Sequence, residues 1–213
     1  MKIAVIQATS QKEKNELLYR CTAESVKKYG YEVINFGCCA DEPASFSYIE
    51  ISILIGLLLS SHAADFIVTG CSSGQGMMLA CNSLPDVLCG YIPTPQDAFL
   101  FGRINDGNAV SLPLGLNFGW AGEINLKCTL EKLFEEPFGT GYPPEDAKRK
   151  KQDTLLLKEI NSISKRTMPD VFSQLNGRLV NKILSKSNVI QYIMKYGSNE
   201  ELRNLLEKSM VSQ

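Results

Sequence analysis

Apolar and polar positions fall into two rhythms along the first 140 residues. Short β-prone runs at Met1–Ile6, Glu32–Phe36, Phe66–Val68, Val87–Ile92 and Ala109–Leu112 are each followed by polar or turn-forming residues. Between them lie segments of helical length or spacing: Lys12–Tyr29, with Leu17, Leu18, Cys21 and Val26 along it, then Tyr48–Ala64, Gly76–Ser83, Gln96–Phe101 and Ile124–Phe134. Strands alternating with helices predict a three-layer, Rossmann-like α/β fold, an open and mostly parallel five-stranded sheet flanked by helices. Tyr48–Ala64 is apolar on nearly all sides. That predicts burial against the sheet and against a second surface, a subunit interface.

From Glu136 the rhythm changes. Pro137–Pro144 is a turn-rich linker, and Glu145–Ile163, Pro169–Ser185, Asn188–Tyr196 and Leu202–Met210 read as helices. Ser198–Glu201 has the residues of a helix cap. The pattern predicts an α/β domain over residues 1–140 and a helical C-terminal extension over 141–213.

Composition sharpens this. An apolar content of 44% with both charge signs present is that of a packed core and excludes a disordered chain. The formal net charge of -1 hides a division: residues 1–147 carry net -8 and residues 148–213 net +7. The extension should therefore pack on the acidic body or on a partner subunit. Its basic residues are interleaved with apolar helical positions and no stacking-aromatic module accompanies them, so nucleic acid is not an expected partner. The longest apolar run, Ile49–Leu59, is broken by Glu50, Ser52 and Gly56 and is too short to span a membrane. Seven cysteines without a CxxC spacing give no zinc pattern, and no metal is expected. Most of them read as small buried hydrophobes of a reducing, cytoplasmic compartment, in a chain that opens directly on a strand without a signal peptide. Cys38 and Cys39 are expected in the core, the sole histidine, His62, at a helix end, and Trp120 in the core or an interface.

Candidate chemistry concentrates between Thr69 and Asn82. A strand, a turn of small residues and a helix start place backbone N–H groups around an anion, and Cys71 stands at the mouth of that turn. Helix N-termini favour the thiolate of a cysteine placed there, as a base working near neutral pH requires. Ligands of open α/β sheets collect outside the carboxyl ends of the strands. The loops after strands one, three and four, with Asn105–Asn108, are therefore expected to meet near Cys71.

Lys2–Val5, Gly30–Gly37, Cys71–Gly76 continuing to Ala80–Asn82, and Asn105–Asn108 together resemble the ribose-5-phosphate isomerase B and galactose-6-phosphate isomerase family over about residues 1–160. The resemblance implies an aldose–ketose isomerase, an intramolecular oxidoreductase without cofactor. Its substrate would be a pentose, tetrose or hexose phosphate passing through a cis-enediolate. It also implies a homodimer or tetramer with shared active sites. In this reading Cys71 is the base and Ser73 the assisting hydroxyl. Ser72, Gly74, Gln75 and Gly76 form the substrate loop, Asn105 contacts a substrate hydroxyl, and Asp106 orients its loop.

The departures are specific. The family's Asp-His pair after the first strand is Ala8-Thr9, the histidine assigned to ring opening is Ile104, and the phosphate-clamping arginine pair has no clear match. Thr9, Ser10, Gln11, Lys12 and Lys14 are candidates to rebuild the anion contact; Lys12, Arg103, Lys148 and Arg149 are candidates for phosphate. A substrate that needs no ring opening fits Ile104. The alternative is a non-catalytic sugar-phosphate sensor, or a pseudoenzyme, that kept the pocket.

Overall fold

Lys2–Ile6 (β1) and Phe66–Cys71 (β3) send buried side chains to both of their faces, the pattern of central strands in a covered parallel sheet. The computed structural model describes residues 1–116 and 118–211. It joins these strands to Glu32–Gly37 (β2), Cys89–Tyr91 (β4) and Ala109–Pro113 (β5) in one five-stranded sheet of order β2-β1-β3-β5-β4. All four pairings are parallel. Ile3, Val5, Phe66 and Val68 pack with Asn15–Val26 (α1) and Gly122–Phe134 (α5) on one face. Ala4, Ile6, Ile67 and Cys71 pack with Tyr48–Ser60 (α2) and Gln75–Asn82 (α3) on the other. Pro95–Leu100 (α4), capped by the Thr94 hydroxyl, runs on into a π-helical turn, Phe101–Asn105, before β5.

The extension consists of Ala147–Ile163 (α6), Met168–Ser173 (α7), Gly177–Leu184 (α8), Ser187–Tyr196 (α9) and Glu200–Val211 (α10). Its last two residues, 212 and 213, lie outside the described residues. The segment expected as one helix, Pro169–Ser185, is two. Asn176 accepts from the amide of Leu179 at 3.0 Å and so starts a new helix there. Among the described residues no helix is long and apolar enough to cross a membrane.

The second surface over α2 belongs to the same chain. Met168, Phe172, Ile183, Val189 and Ile193 of the extension share one apolar core with Leu54, Leu57 and Leu58 of α2. The expected subunit interface at this helix is thus corrected: its own C-terminal helices bury its outer side. The charge division follows the same contact. Lys158 pairs with Asp106 and Lys186 with Glu42, each at 2.5 Å, so the basic extension is fastened to the acidic body. Lys165 adds hydrogen bonds to the carbonyls of Asn82 and Leu84.

The Lys186–Glu42 pair is the buried one, with side chains 4% and 19% exposed. Lys186 lies over the Phe46 ring, and Glu42 also accepts from the amide of Cys39. Removing one partner of a buried pair leaves the other charge without compensation. Lys186→Met should therefore cost about 3–5 kcal/mol in urea unfolding, and most of it should return in Lys186→Met/Glu42→Gln. A single-variant loss below about 1 kcal/mol would mean that the pair is solvated, as exposed pairs are.

Candidate active site

The chain changes the direction in which it adds strands between β1 and β3, and the loops leaving these two strands meet at the carboxyl edge of the sheet. The amide of Ala8 donates to the carbonyl of Gly70 at 3.1 Å. Residues Thr9–Lys14 then form a 3-10 turn alongside the loop after β3. Gln11 Nε2 donates to Ser72 Oγ at 2.9 Å, and Ser72 Oγ lies 3.5 Å from Ser10 Oγ.

The loop after β5 closes the third side. The amide of Leu114 donates to the carbonyl of Cys71, and those of Gly115 and Leu116 donate to the carbonyl of Ser72. This approach requires glycine at 70, where a Cβ would stand 2.5 Å from the Leu112 carbonyl oxygen. Gly74 makes the turn into α3 with φ +76, and a Cβ there would meet the Leu112 carbonyl carbon and the Tyr91 ring at 2.9 Å. The buried Ser111 hydroxyl fixes the turn by donating to the Gly74 carbonyl at 2.6 Å.

Cys71 ends β3 with 8% of its surface exposed, in the same apolar cluster as Ala8, Cys38 and Phe46. The first amides of α3 have no acceptor within their own helix, and they begin at Gln75, four residues after Cys71. Ser73 is half-buried, and among the described residues its hydroxyl has no hydrogen-bond partner. Gly76 lies bare beside the Tyr48 ring, where a Cβ would sit 3.5 Å away. Gln75 is exposed at the start of the helix. A thiol beside orphan amides and the Ser73 hydroxyl can take a proton from carbon and hold the resulting oxyanion. Burial pushes the thiols of Cys38 and Cys39 up, away from the reactive thiolate. Among the described residues no group of three or more His, Cys, Asp or Glu side chains is gathered to hold a metal.

Cys71, Ser72, Ser73, Gly74, Ser10 and Gln11 are thus brought together. Thr9 stands at the same place but is engaged. Its hydroxyl accepts from the amide of Phe46 at 2.8 Å and its amide donates to the Phe46 carbonyl, so it clamps the loop after β2. Lys12 and Lys14 flank the crevice on the 3-10 turn, both half-buried.

Asn105 and Asp106 do not join this group within the chain, contrary to the expectation. They precede β5, whose first residue pairs with Ile67, whereas Cys71 pairs with Pro113 at its other end. The length of the strand, about 13 Å, separates them from the thiol. Asn105 instead lines a cavity of about 490 Å³ along the free edge of β4, with Asn82, Tyr91 and Leu157. Asp106 holds Lys158.

Arg103 is 1% exposed, sandwiched between Phe99 and Phe138 with Nη2 on the Leu133 carbonyl, so it cannot meet a phosphate in the crevice. Lys148 and Arg149 begin α6, a helix that docks on the π-helical turn through Thr154 and the Ile104 carbonyl. The Arg149 guanidinium is clasped by Asp146 and Asp153. Trp120, expected in the core or an interface, is fully exposed. The strand expected to supply the third loop was β4, but β4 is the edge and β5 is the neighbour of β3. Ser111 and the Leu114–Leu116 backbone were missed for that reason; the one signal was a serine inside the apolar run Ala109–Leu112.

The family model described as ribose/galactose isomerase matches residues 3–136. Two solved structures match nearly the whole chain. One is a 4-deoxy-L-threo-5-hexosulose-uronate ketol-isomerase complexed with a tartrate, 37% identical, covering 99% of this chain and 100% of that chain with a TM-score of 0.94. The other is a ribose-5-phosphate isomerase from Vibrio parahaemolyticus, 33% identical, covering 98% and 99% with a TM-score of 0.92. A type B ribose 5-phosphate isomerase from Trypanosoma brucei shares the fold at 19% identity and a TM-score of 0.61, over 74% of this chain and 97% of that chain. None of the curated proteins compared matches. With a sugar-isomerase fold, the cysteine loop at its switch point and a family match over more than half its length, the chain belongs to the ribose/galactose isomerase family.

Proposed function

We propose that the protein is an aldose–ketose isomerase of an open-chain deoxy-hexosulose uronate, with Cys71 as the base. The observation that carries this is the position of Cys71 at the end of β3, next to the serine loop and the start of α3. The thiolate takes the proton from C2 of the aldehyde form. The electron pair moves to the C1 oxygen, and the cis-enediolate is held by the amides of the loop and the Ser73 hydroxyl. The proton returns to C1 while the C2 hydroxyl proton passes to the C1 oxygen, leaving a hydroxyl at C1 and the carbonyl at C2. Nothing is oxidised or reduced overall.

The substrate class rests on two supports. The first is the 37% identity, over nearly the full length of both chains, to an isomerase of 4-deoxy-L-threo-5-hexosulose uronate. The second is chemical. An aldose closes into a ring through its C4 or C5 hydroxyl; a 4-deoxy-5-keto acid has neither. Such a substrate needs no ring-opening histidine, and this chain has Ile104 at that position and its one histidine, His62, exposed after α2. A sugar phosphate is the second reading, favoured by the 33% identity to the Vibrio parahaemolyticus enzyme.

The protein should exchange the C2 proton of the deoxy-hexosulose uronate with solvent and convert it to the 2-ketose, and Cys71→Ala should lower the rate by about 10²–10⁴-fold. NMR in deuterated water reads both. Turnover of ribose 5-phosphate but not of the uronate would replace the first reading by the second. Binding of either without exchange would make the protein a sensor, and full exchange by Cys71→Ala would remove the thiol from the mechanism.

Asn105 can complete this site only from a second copy, and we infer a homodimer with shared sites. Leu155, Leu156, Ile160 and Ile163 form an exposed apolar face on α6, beside Asn105, that a second copy would cover. Mixing and refolding Cys71→Ala with Asn105→Ala, each inactive alone, should restore about a quarter of the wild-type activity, because half of the dimers are mixed and each holds one intact site. No recovery would leave Asn105 outside the active site.

A further inference from the structure

We infer that Lys14 is the residue that receives the substrate's carboxylate and that Gln11 positions it; this rests on the isomerase reading above. Lys14 Nζ donates to Gln11 Oε1 at 3.0 Å, and Gln11 Nε2 donates to Ser72 Oγ at 2.9 Å. An ammonium has only donors, so it fixes which end of the Gln11 amide faces it, and the opposite end must donate to the serine. Ser72 Oγ therefore accepts from Gln11, and its own proton is directed at Ser10 Oγ, 3.5 Å away across the crevice.

The ammonium is held as well as oriented. It lies 4.7 Å from the centroid of the Phe118 ring, which fixes a cation without using its hydrogens. One of its three hydrogens is spent on Gln11 and two remain for an anion. A carboxylate four bonds from C2 lies about 5 Å from it in an extended chain, and the Gln11 amide links Lys14 to the residue after Cys71.

Other candidate cations are placed elsewhere. Lys186 holds Glu42 in the core, Arg149 is clasped by two aspartates, and Arg103 is walled in by phenyl rings. Lys182 lies over the Phe46 ring and lines a separate cavity with Glu50, Asn176 and Arg178. Lys12 shares the 3-10 turn but sits two residues away, about 120° around an axis of three residues per turn.

The test uses the full-length protein with Lys14→Met, Lys14→Arg, Lys12→Met and Gln11→Glu. Lys14→Met should raise KM for the uronate about 10–100-fold, the range of a charge-assisted hydrogen bond, with kcat changed less than about threefold. Lys14→Arg should stay near wild type. Gln11→Glu keeps the lysine but neutralises it and removes the donor to Ser72, so it should raise KM as Lys14→Met does and lower kcat in addition. Calorimetry with tartrate as the probe gives a readout without turnover: Lys14→Met should weaken any wild-type binding at least tenfold.

If the wild type isomerises only a sugar phosphate, the uronate reading falls while Lys14 is still judged by the KM for that phosphate. If it isomerises neither, tartrate binding decides. Unchanged KM and unchanged tartrate affinity in Lys14→Met, or a KM increase in Lys12→Met alone, would overturn the assignment.

Discussion

The crevice depends on how closely β3 is pressed between its neighbours at Gly70. A single methyl group there would stand 2.5 Å from the Leu112 carbonyl oxygen, closer than non-bonded atoms come. Because residue 70 has no side chain, its own carbonyl accepts Ala8 on one side while β5 passes on the other. That fixes the loops after β1, β3 and β5 against one another before any substrate arrives. Ser111 then holds the Gly74 turn, and the turn aims the start of α3. The proposed enediolate needs donors already in place when the charge develops, and this packing holds the loop amides ready for it.

What the sequence made legible was local. The strand and helix periods mark all five strands, and the run from Thr69 to Asn82 marks the thiol loop, because small residues and a cysteine between a strand and a helix have few other uses. Strand order was not legible. Nothing in the run Ala109–Leu112 says that it sits beside β3 rather than at the edge, so the third wall of the crevice was placed after the wrong strand. The same gap put Asn105 near the thiol. It precedes β5, and a strand's two ends face opposite sides of the sheet.

The uniform hydrophobicity of α2 showed that both of its sides are buried but not what buries the second. The charge division between body and extension held that information. A +7 segment behind a -8 body is neutralised most directly by folding back, and Lys186–Glu42 and Lys158–Asp106 are where it does so. Coverage follows the same line. The two structures that match nearly the whole chain also match its extension, whereas the Trypanosoma brucei enzyme is itself almost wholly covered by three-quarters of this chain.

That extension bears on the chemistry of the site through Phe46. Lys182 and Lys186 lie over its ring at 4.2 and 5.4 Å, and its backbone is paired on both sides with Thr9. Thr9 stands where a histidine stands in the family this chain resembles, and here its polar groups are spent on holding a loop. The position is a joint between the extension and the loop after β1. The proposed anion contact falls to the lysine that follows on the same turn. A carboxylate carries less charge than a phosphate dianion and needs fewer donors, so one positioned lysine can serve where a phosphate would call for a clamp. Ile104 in place of a ring-opening histidine and a single positioned lysine both support the open-chain acid proposed as substrate.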